Sequence, residues 1–157
     1  METFYLTEKV SIPLADRFSH FCEELSPDVE SILIIVDSHG GDANAAFRMA
    51  GKIKEIKDRG VKVTMFALNN LSSAALFIFL RGSRRLIIPS VQAILHLPEN
   101  PSFSNDDPEM QKGRLLVAGY IASHTGQTVQ WVQENDKKIL SATQLISLGF
   151  ADEIVCV

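Results

Sequence analysis

Residues 31–42 read Ser31-Ile32-Leu33-Ile34-Ile35-Val36-Asp37-Ser38-His39-Gly40-Gly41-Asp42. The apolar run 32–36, bounded by polar residues, has the pattern of a strand buried on both faces. Two adjacent glycines then turn the chain into a helix whose Ala46, Met49, Ala50, Ile53 and Ile56 recur on one face. Asp58-Arg59-Gly60 closes that helix, and Val61–Ala67 reads as a second buried strand. A strand, a glycine turn, a helix and a second apolar strand make the repeating unit of an α/β domain with a mostly parallel sheet.

The same alternation continues outward from this unit. Upstream, residues 4–10 read as a strand, and Pro13 opens a helix with Leu14, Phe18, Phe21, Cys22 and Leu25 on one stripe. Downstream, Asn69-Asn70 reads as a polar turn and Ser72–Leu80 as a buried helix, since Ile78 is its one β-branched residue. Arg85–Ile88 and Val91–His96 read as short strands broken at Pro89, and Pro98–Pro108 as a loop. Asp107 is placed to cap a long helix that starts at Pro108 and ends at Gly126. Ser141 and Gln144 have capping-box spacing for a short helix that Gly149 terminates, and residues 153–157 read as a last strand.

Composition narrows the function. The chain has 157 residues, 46% hydrophobic and 22% charged, which suits one domain over residues 1–157 with a core that needs no metal or disulfide. A net charge of −4 and a pI near 5.5 argue against a nucleic-acid partner. Cys22 and Cys156 are too few for a disulfide framework or a zinc site, so no metal or cofactor is expected. The apolar stretch 72–80 is about half the length of a membrane span, so no membrane partner is expected. The start, Met1-Glu2-Thr3-Phe4, lacks the basic residues and long apolar run of a signal peptide, so a cytoplasmic location is expected.

Three features fall at the carboxyl ends of expected strands, where open α/β sheets form their ligand crevices. The first is the turn 37–42, whose glycines let backbone N–H groups approach a ligand. The second is Leu71-Ser72-Ser73-Ala74-Ala75, where a serine at a helix start lies near N–H groups suited to a developing oxyanion. The third is His96, at the end of Ala93-Ile94-Leu95. Each has an ordinary explanation when taken singly: a tight turn, a capping serine, a structural histidine. Together, a serine, a base and a backbone oxyanion site are the minimum apparatus of acyl transfer.

At these residues the sequence resembles the proteolytic subunit of the Clp protease, within the Clp/crotonase fold superfamily. Ile34-Ile35-Val36-Asp37-Ser38-His39-Gly40-Gly41 is similar to that family's strand followed by Asn-Ser-Pro-Gly-Gly, with His39 in place of the proline. Leu71–Ala75 with Ile78-Phe79 and Gly82 resembles the Ala-Ala-Ser segment that carries the nucleophile, and Pro89 followed by His96-Leu97-Pro98 resembles its Pro…His-Gln-Pro. His124-Thr125-Gly126-Gln127, Leu140-Ser141-Ala142 and Leu148-Gly149-Phe150-Ala151-Asp152 match in order. The resemblance implies a Clp/crotonase-type α/β fold of repeated strand-strand-helix units. It also implies a serine endopeptidase acting on peptides or unfolded protein, and a homo-oligomer.

Carried over residue by residue, it implies Ser73 as nucleophile, His96 as general base, and the N–H groups of Gly41 and Ala74 as oxyanion hole. Aligning Gly82 selects Ser73, whereas aligning only the start of the segment selects Ser72. Lys137 stands where the family has its triad aspartate. Asp136, one residue earlier, is the candidate substitute, which implies a weakened triad. The segment between His96 and His124 is shorter than in the family, where it forms the handle through which rings stack. Strand one begins close to Met1, without the family's amino-terminal loops, so a smaller or different oligomer is expected, and docking to an AAA+ ATPase is not. Two other readings stand beside the peptidase: a catalytically inactive Clp-like binding or assembly module, and a crotonase-type acyl-CoA enzyme. The second lacks an evident pair of acidic catalysts.

Overall fold

The fold is described from a computed structural model covering residues 1–104 and 106–157. Asn105, inside the expected loop 98–108, lies outside the described residues. In chain order the elements are β1 (Glu2–Leu6), α1 (Ile12–Glu23), β2 (Ser31–Ser38), α2 (Ala43–Asp58), β3 (Lys62–Ser72), α3 (Ala74–Leu80), β4 (Arg84–Ile87), β5 (Gln92–Ile94), α4 (Pro108–Thr125), α5 (Val129–Glu134), β6 (Ile139–Ser141), α6 (Ala142–Ser147) and β7 (Glu153–Ile154).

The strands form a mostly parallel sheet in the order β1-β2-β3-β4-β7, so the architecture is mixed α/β as expected. β3 changes partner along its length: Thr64–Ala67 pair with β4, and Asn70–Ser72 pair with β5. β6 then pairs antiparallel with β5. This corrects the expectation of a turn at Asn69-Asn70. The strand runs on because the Asp37 carboxylate accepts from both the backbone N–H (3.0 Å) and the side-chain amide (2.9 Å) of Asn70. A polar pair inside a strand is tolerated when its groups are bonded in this way.

Other boundaries also move. β1 spans Glu2–Leu6 rather than 4–10, and Val10 instead bridges to Gly41. The last strand is Glu153–Ile154, although Val155 N–H still donates to Ile87 O at 2.7 Å. α5, capped by Thr128, is a short helix that the sequence pattern does not reveal. α1 begins at Ile12, one residue before the expected Pro13, behind a Ser11 cap; the other starts read from sequence hold, with Asp107 capping α4 ahead of Pro108 and Ser141 with Gln144 closing a capping box on α6.

In β2 the residues Ile32, Ile34, Val36 and Ser38 are buried, whereas Leu33 and Ile35 are only half-buried, so the strand is not sealed on both faces. The register places Tyr5, Ile35, Phe66 and Leu86 in one row across that second face, and Tyr5 is exposed. The first face is covered by α1 and its neighbours. Phe18 of α1 is fully buried and meets Phe4 edge-on at 4.9 Å between ring centroids, with Phe21 beside both. Among the described residues no helix is long and apolar enough to cross a membrane.

α3, every residue of which is buried, is tied to α4 from behind. The Tyr120 hydroxyl donates to Phe77 O at 2.5 Å, and burial pushes its pKa up to about 12. His124 Nδ1 lies 2.7 Å from Tyr120 O and Nε2 lies 3.2 Å from Arg81, and burial holds this imidazole's pKa below its ordinary value. A neutral ring that donates from Nδ1 and accepts from the guanidinium at Nε2 satisfies both contacts.

The Phe18 anchor gives a direct test. Phe18→Ala should cost about 3–5 kcal/mol, read as a lower midpoint in urea denaturation.

Candidate active site

Ser73 stands at the joint between β3 and α3. Its backbone has φ 54° and ψ −122°, a conformation that residues other than glycine seldom adopt. The joint is held by pairing: Ser73 N–H donates to Ile94 O and Ser73 O accepts from Leu76 N–H, both at 2.9 Å. The side chain makes no capping bond to α3, so the hydroxyl is not committed to the helix. Ser72, by contrast, is buried as the last residue of β3.

The glycine turn is fitted against this joint. Gly40 has φ 98°, and a Cβ there would lie 2.7 Å from Ser72 O and 2.9 Å from the Ser73 Cβ. Only glycine fits both the space and the conformation. The turn is fastened from the opposite side by Val10, whose N–H donates to Gly40 O and whose carbonyl accepts from Asp42 N–H, both at 2.9 Å. Ser38 Oγ donates to Glu8 O at 2.7 Å and accepts from Gly40 N–H at 3.1 Å. Gly41 is thereby delivered to the rim beside Ser73, and Asp42 goes on to cap α2.

Gly41, Ser73, Phe77, His96, Pro98 and Glu99 line one cleft of about 220 Å³. Ala74, the first residue of α3, follows Ser73 directly and is buried. A larger groove of about 700 Å³, between β1 and α1, shares no residue with this cleft. It brings no serine or glycine turn to its histidine, His20, so the smaller cleft is the chemical candidate. Among the described residues no group of three or more His, Cys, Asp or Glu side chains is arranged to hold a metal ion.

His96 follows β5 with its side chain 33% exposed. Its charged neighbour is Glu99, whose Oε2 lies 3.8 Å from His96 Nε2, while Glu99 Oε1 takes Lys137 Nζ at 2.8 Å. One carboxylate therefore bridges the imidazole and the lysine at the expected acid position. The hydrogen bond from Lys137 holds the Glu99 pKa below its ordinary value, and Glu99 in turn raises that of Lys137. The lysine backbone is also constrained, with φ 70° and its N–H donating to Leu95 O at 2.6 Å.

Asp136 is placed otherwise than expected. Its Oδ1 accepts from Leu97 N–H at 2.8 Å and its Oδ2 from Arg114 at 2.7 Å, so both oxygens are engaged away from the imidazole. Glu99 and Arg114 are the two residues that sequence reasoning passed over. Glu99 stands three positions after His96, but its direction depends on how the chain turns through Pro98. Arg114 lies in a helix with nothing to distinguish it from a solvated cation.

The structure thus brings a strand-to-helix serine, the glycine turn packed against it and His96, two residues beyond β5, to one cleft at the edge of a mostly parallel α/β sheet. The Clp protease family profile matches residues 6–157, and the chain belongs to that family. It is 23% identical to the ATP-dependent Clp protease proteolytic subunit 1 of Corynebacterium glutamicum over 143 residues, covering 84% of this chain and 67% of that protein. Among solved structures it resembles ClpP1 from Listeria monocytogenes, at TM-score 0.89 and 22% identity over 99% of this chain and 91% of the other. A mutant of that ClpP1 gives the same score at 24% identity, over 99% and 92%. The fold is of the Clp/crotonase type.

The bridging pair has a definite pH signature. A carboxyl held below its ordinary 4.5 contributes stability above that value and loses it as pH falls through the lowered one. An ammonium raised above 10.5 contributes below that value and loses it as pH rises through the raised one. Lys137→Met should therefore lower the melting temperature by a constant small amount across neutral pH. The deficit should shrink on acidification, as a series of thermal melts would show.

Proposed function

We propose that this chain is a Clp-type serine endopeptidase that cleaves peptides or unfolded protein segments through Ser73 and His96. The observation that carries the reading is the cleft lined by Gly41, Ser73 and His96 together, with Ser73 held at positive φ on a strand-to-helix joint. In this reading a peptide carbonyl lies against the N–H groups of Gly41 and Ala74. Ser73 Oγ attacks it while His96 takes the hydroxyl proton. The oxyanion of the tetrahedral intermediate is stabilised by the two N–H groups, each worth about 3–4 kcal/mol in sites of this kind. His96 then gives the proton to the leaving amine, and water repeats the cycle on the acyl-enzyme.

The imidazolium formed on the way needs a counter-charge. Glu99, 3.8 Å from the ring, supplies it in this reading in place of Asp136. Lys137 draws on the same carboxylate, which weakens that support. Glu99→Gln should lower kcat by about tenfold, measured on a fluorogenic peptide. The half-buried row Ile35, Phe66 and Leu86 beside exposed Tyr5 supports a homo-oligomer, since it leaves apolar surface for a second copy to cover. The cytoplasm remains the setting this reading assumes.

One observation favours a second reading, a Clp-like assembly module without activity: Lys137 occupies the acid position and its ammonium reaches Glu99 at 2.8 Å. A fluorophosphonate probe separates the two. The peptidase reading expects Ser73 to be labelled in the folded protein, and Ser73→Ala to lose both labelling and hydrolysis by at least about 10³-fold. A folded protein whose Ser73 resists the probe would leave the assembly module.

A further inference from the structure

His96 lies two residues beyond the end of β5, just past the last cross-strand bonds of that segment, which are made by Leu95. The chain ahead of it is proline-rich, and Pro98 has no N–H with which to be held. On the far side of His96 the backbone is held at the N–H of Leu97 and the carbonyl of Pro98. Leu97 N–H donates to Asp136 Oδ1 at 2.8 Å, and Pro98 O accepts from Arg114 Nη1 at 2.9 Å. The two side chains are joined to each other, with Arg114 Nη2 donating to Asp136 Oδ2 at 2.7 Å. The pair is well shielded, at 15% and 14% exposed. On the other side of His96, Leu95 N–H donates to Lys138 O at 3.0 Å and Leu95 O accepts from Lys137 N–H at 2.6 Å.

We propose that Arg114 and Asp136 form a positioning clamp for His96, fixing the Leu97–Pro98 backbone from α4 and from the segment between α5 and β6, and so aiming the imidazole at Ser73 without touching it. The proposal rests on the peptidase reading above and assigns Asp136 a different task from that of a triad acid. A shift of about 1 Å in a reacting group costs on the order of 10²-fold in rate, so a backbone anchor beside the base has a catalytic consequence. Arg114 is suited to the task because its planar fork serves the carboxylate and the carbonyl at once, which a lysine ammonium matches poorly.

The two roles for Asp136 predict opposite orders of damage. A triad acid replaced by asparagine loses roughly 10⁴-fold, because the amide cannot support the charged imidazole. A backbone anchor replaced by asparagine keeps one oxygen for Leu97 N–H but turns an NH2 donor onto Arg114 Nη2, so it loses part of the clamp and less than alanine does. Asp136→Asn, Asp136→Ala and Arg114→Met are therefore compared with the parent in two measurements.

Hydrogen exchange at the Leu97 amide reads the clamp without requiring activity. Full protection is expected in the parent, partial protection in Asp136→Asn, and loss of protection in the other two. Steady-state cleavage of a fluorogenic peptide reads the consequence. Asp136→Ala and Arg114→Met should lower kcat by about 10²-fold with KM within about threefold, whereas Asp136→Asn should stay within about tenfold of the parent. Equal Leu97 exchange in all four proteins overturns the clamp, and so does an asparagine variant as damaged as the alanine one. Failure of the parent's Ser73 to react with a fluorophosphonate overturns the peptidase reading instead, and Leu97 exchange still decides whether the clamp exists.

Discussion

The structure depends on β3 staying paired while it changes neighbours. Through Ala67 it runs beside β4, and from Asn70 it runs beside β5. A strand that simply ended at Ala67 would leave β5 unpaired on that side, and Ser73 would have no Ile94 carbonyl to hold its N–H. The continuation brings Ser73 and His96 onto neighbouring strand ends, which is why a serine and a histidine separated by 22 intervening positions share a cleft. Asp37 makes the change possible by bonding Asn70 twice, so a residue of the glycine-turn segment supports the strand that delivers the serine. The turn, the serine and the histidine are thus consequences of one pairing pattern.

That dependence explains what could be read from the sequence. Apolar periodicity and caps are local, and they gave the α/β alternation, the starts of α4 and α6, that of α1 to within one residue, and the buried character of α3. Ser73, His96 and Gly41 could be named because each belongs to a short motif at a strand end. Asn69-Asn70 misled because a polar pair is a turn signal unless a distant carboxylate satisfies it, and Asp37 lies 33 positions away from Asn70. The second face of β2 misled for a related reason: apolar residues such as Leu33 and Ile35 do not say whether a helix or another copy of the chain covers them.

The charged residues around His96 were the least readable part, because their roles are set by which segments meet. Asp136 and Lys137 are adjacent in sequence, yet they serve different partners. Asp136 turns toward Leu97 and Arg114, in a shielded position where an unpaired charge would be costly. Lys137 has a positive φ and an exposed side chain, and it reaches out to Glu99 at the mouth of the cleft. With lysine at the position expected of the acid, the proposed base must find its counter-charge elsewhere or do without one. Glu99, three residues beyond His96 on the same loop, is near enough to serve.

This exchange carries a cost that geometry makes plain. A triad aspartate bonds one nitrogen of the imidazole and leaves the other for the serine. Glu99 stands off at 3.8 Å from Nε2, beyond hydrogen-bond distance, and it shares its charge with a lysine. It can therefore answer the imidazolium charge electrostatically but cannot fix the ring as a bonded carboxylate would. If His96 is the base, as proposed, its orientation comes from the backbone that carries it, and that backbone is secured on one side by pairing with residues 137–138 and on the other by Asp136 and Arg114. In the proposed peptidase, charge support and orientation, which one aspartate combines in the familiar triad, are divided between two carboxylates.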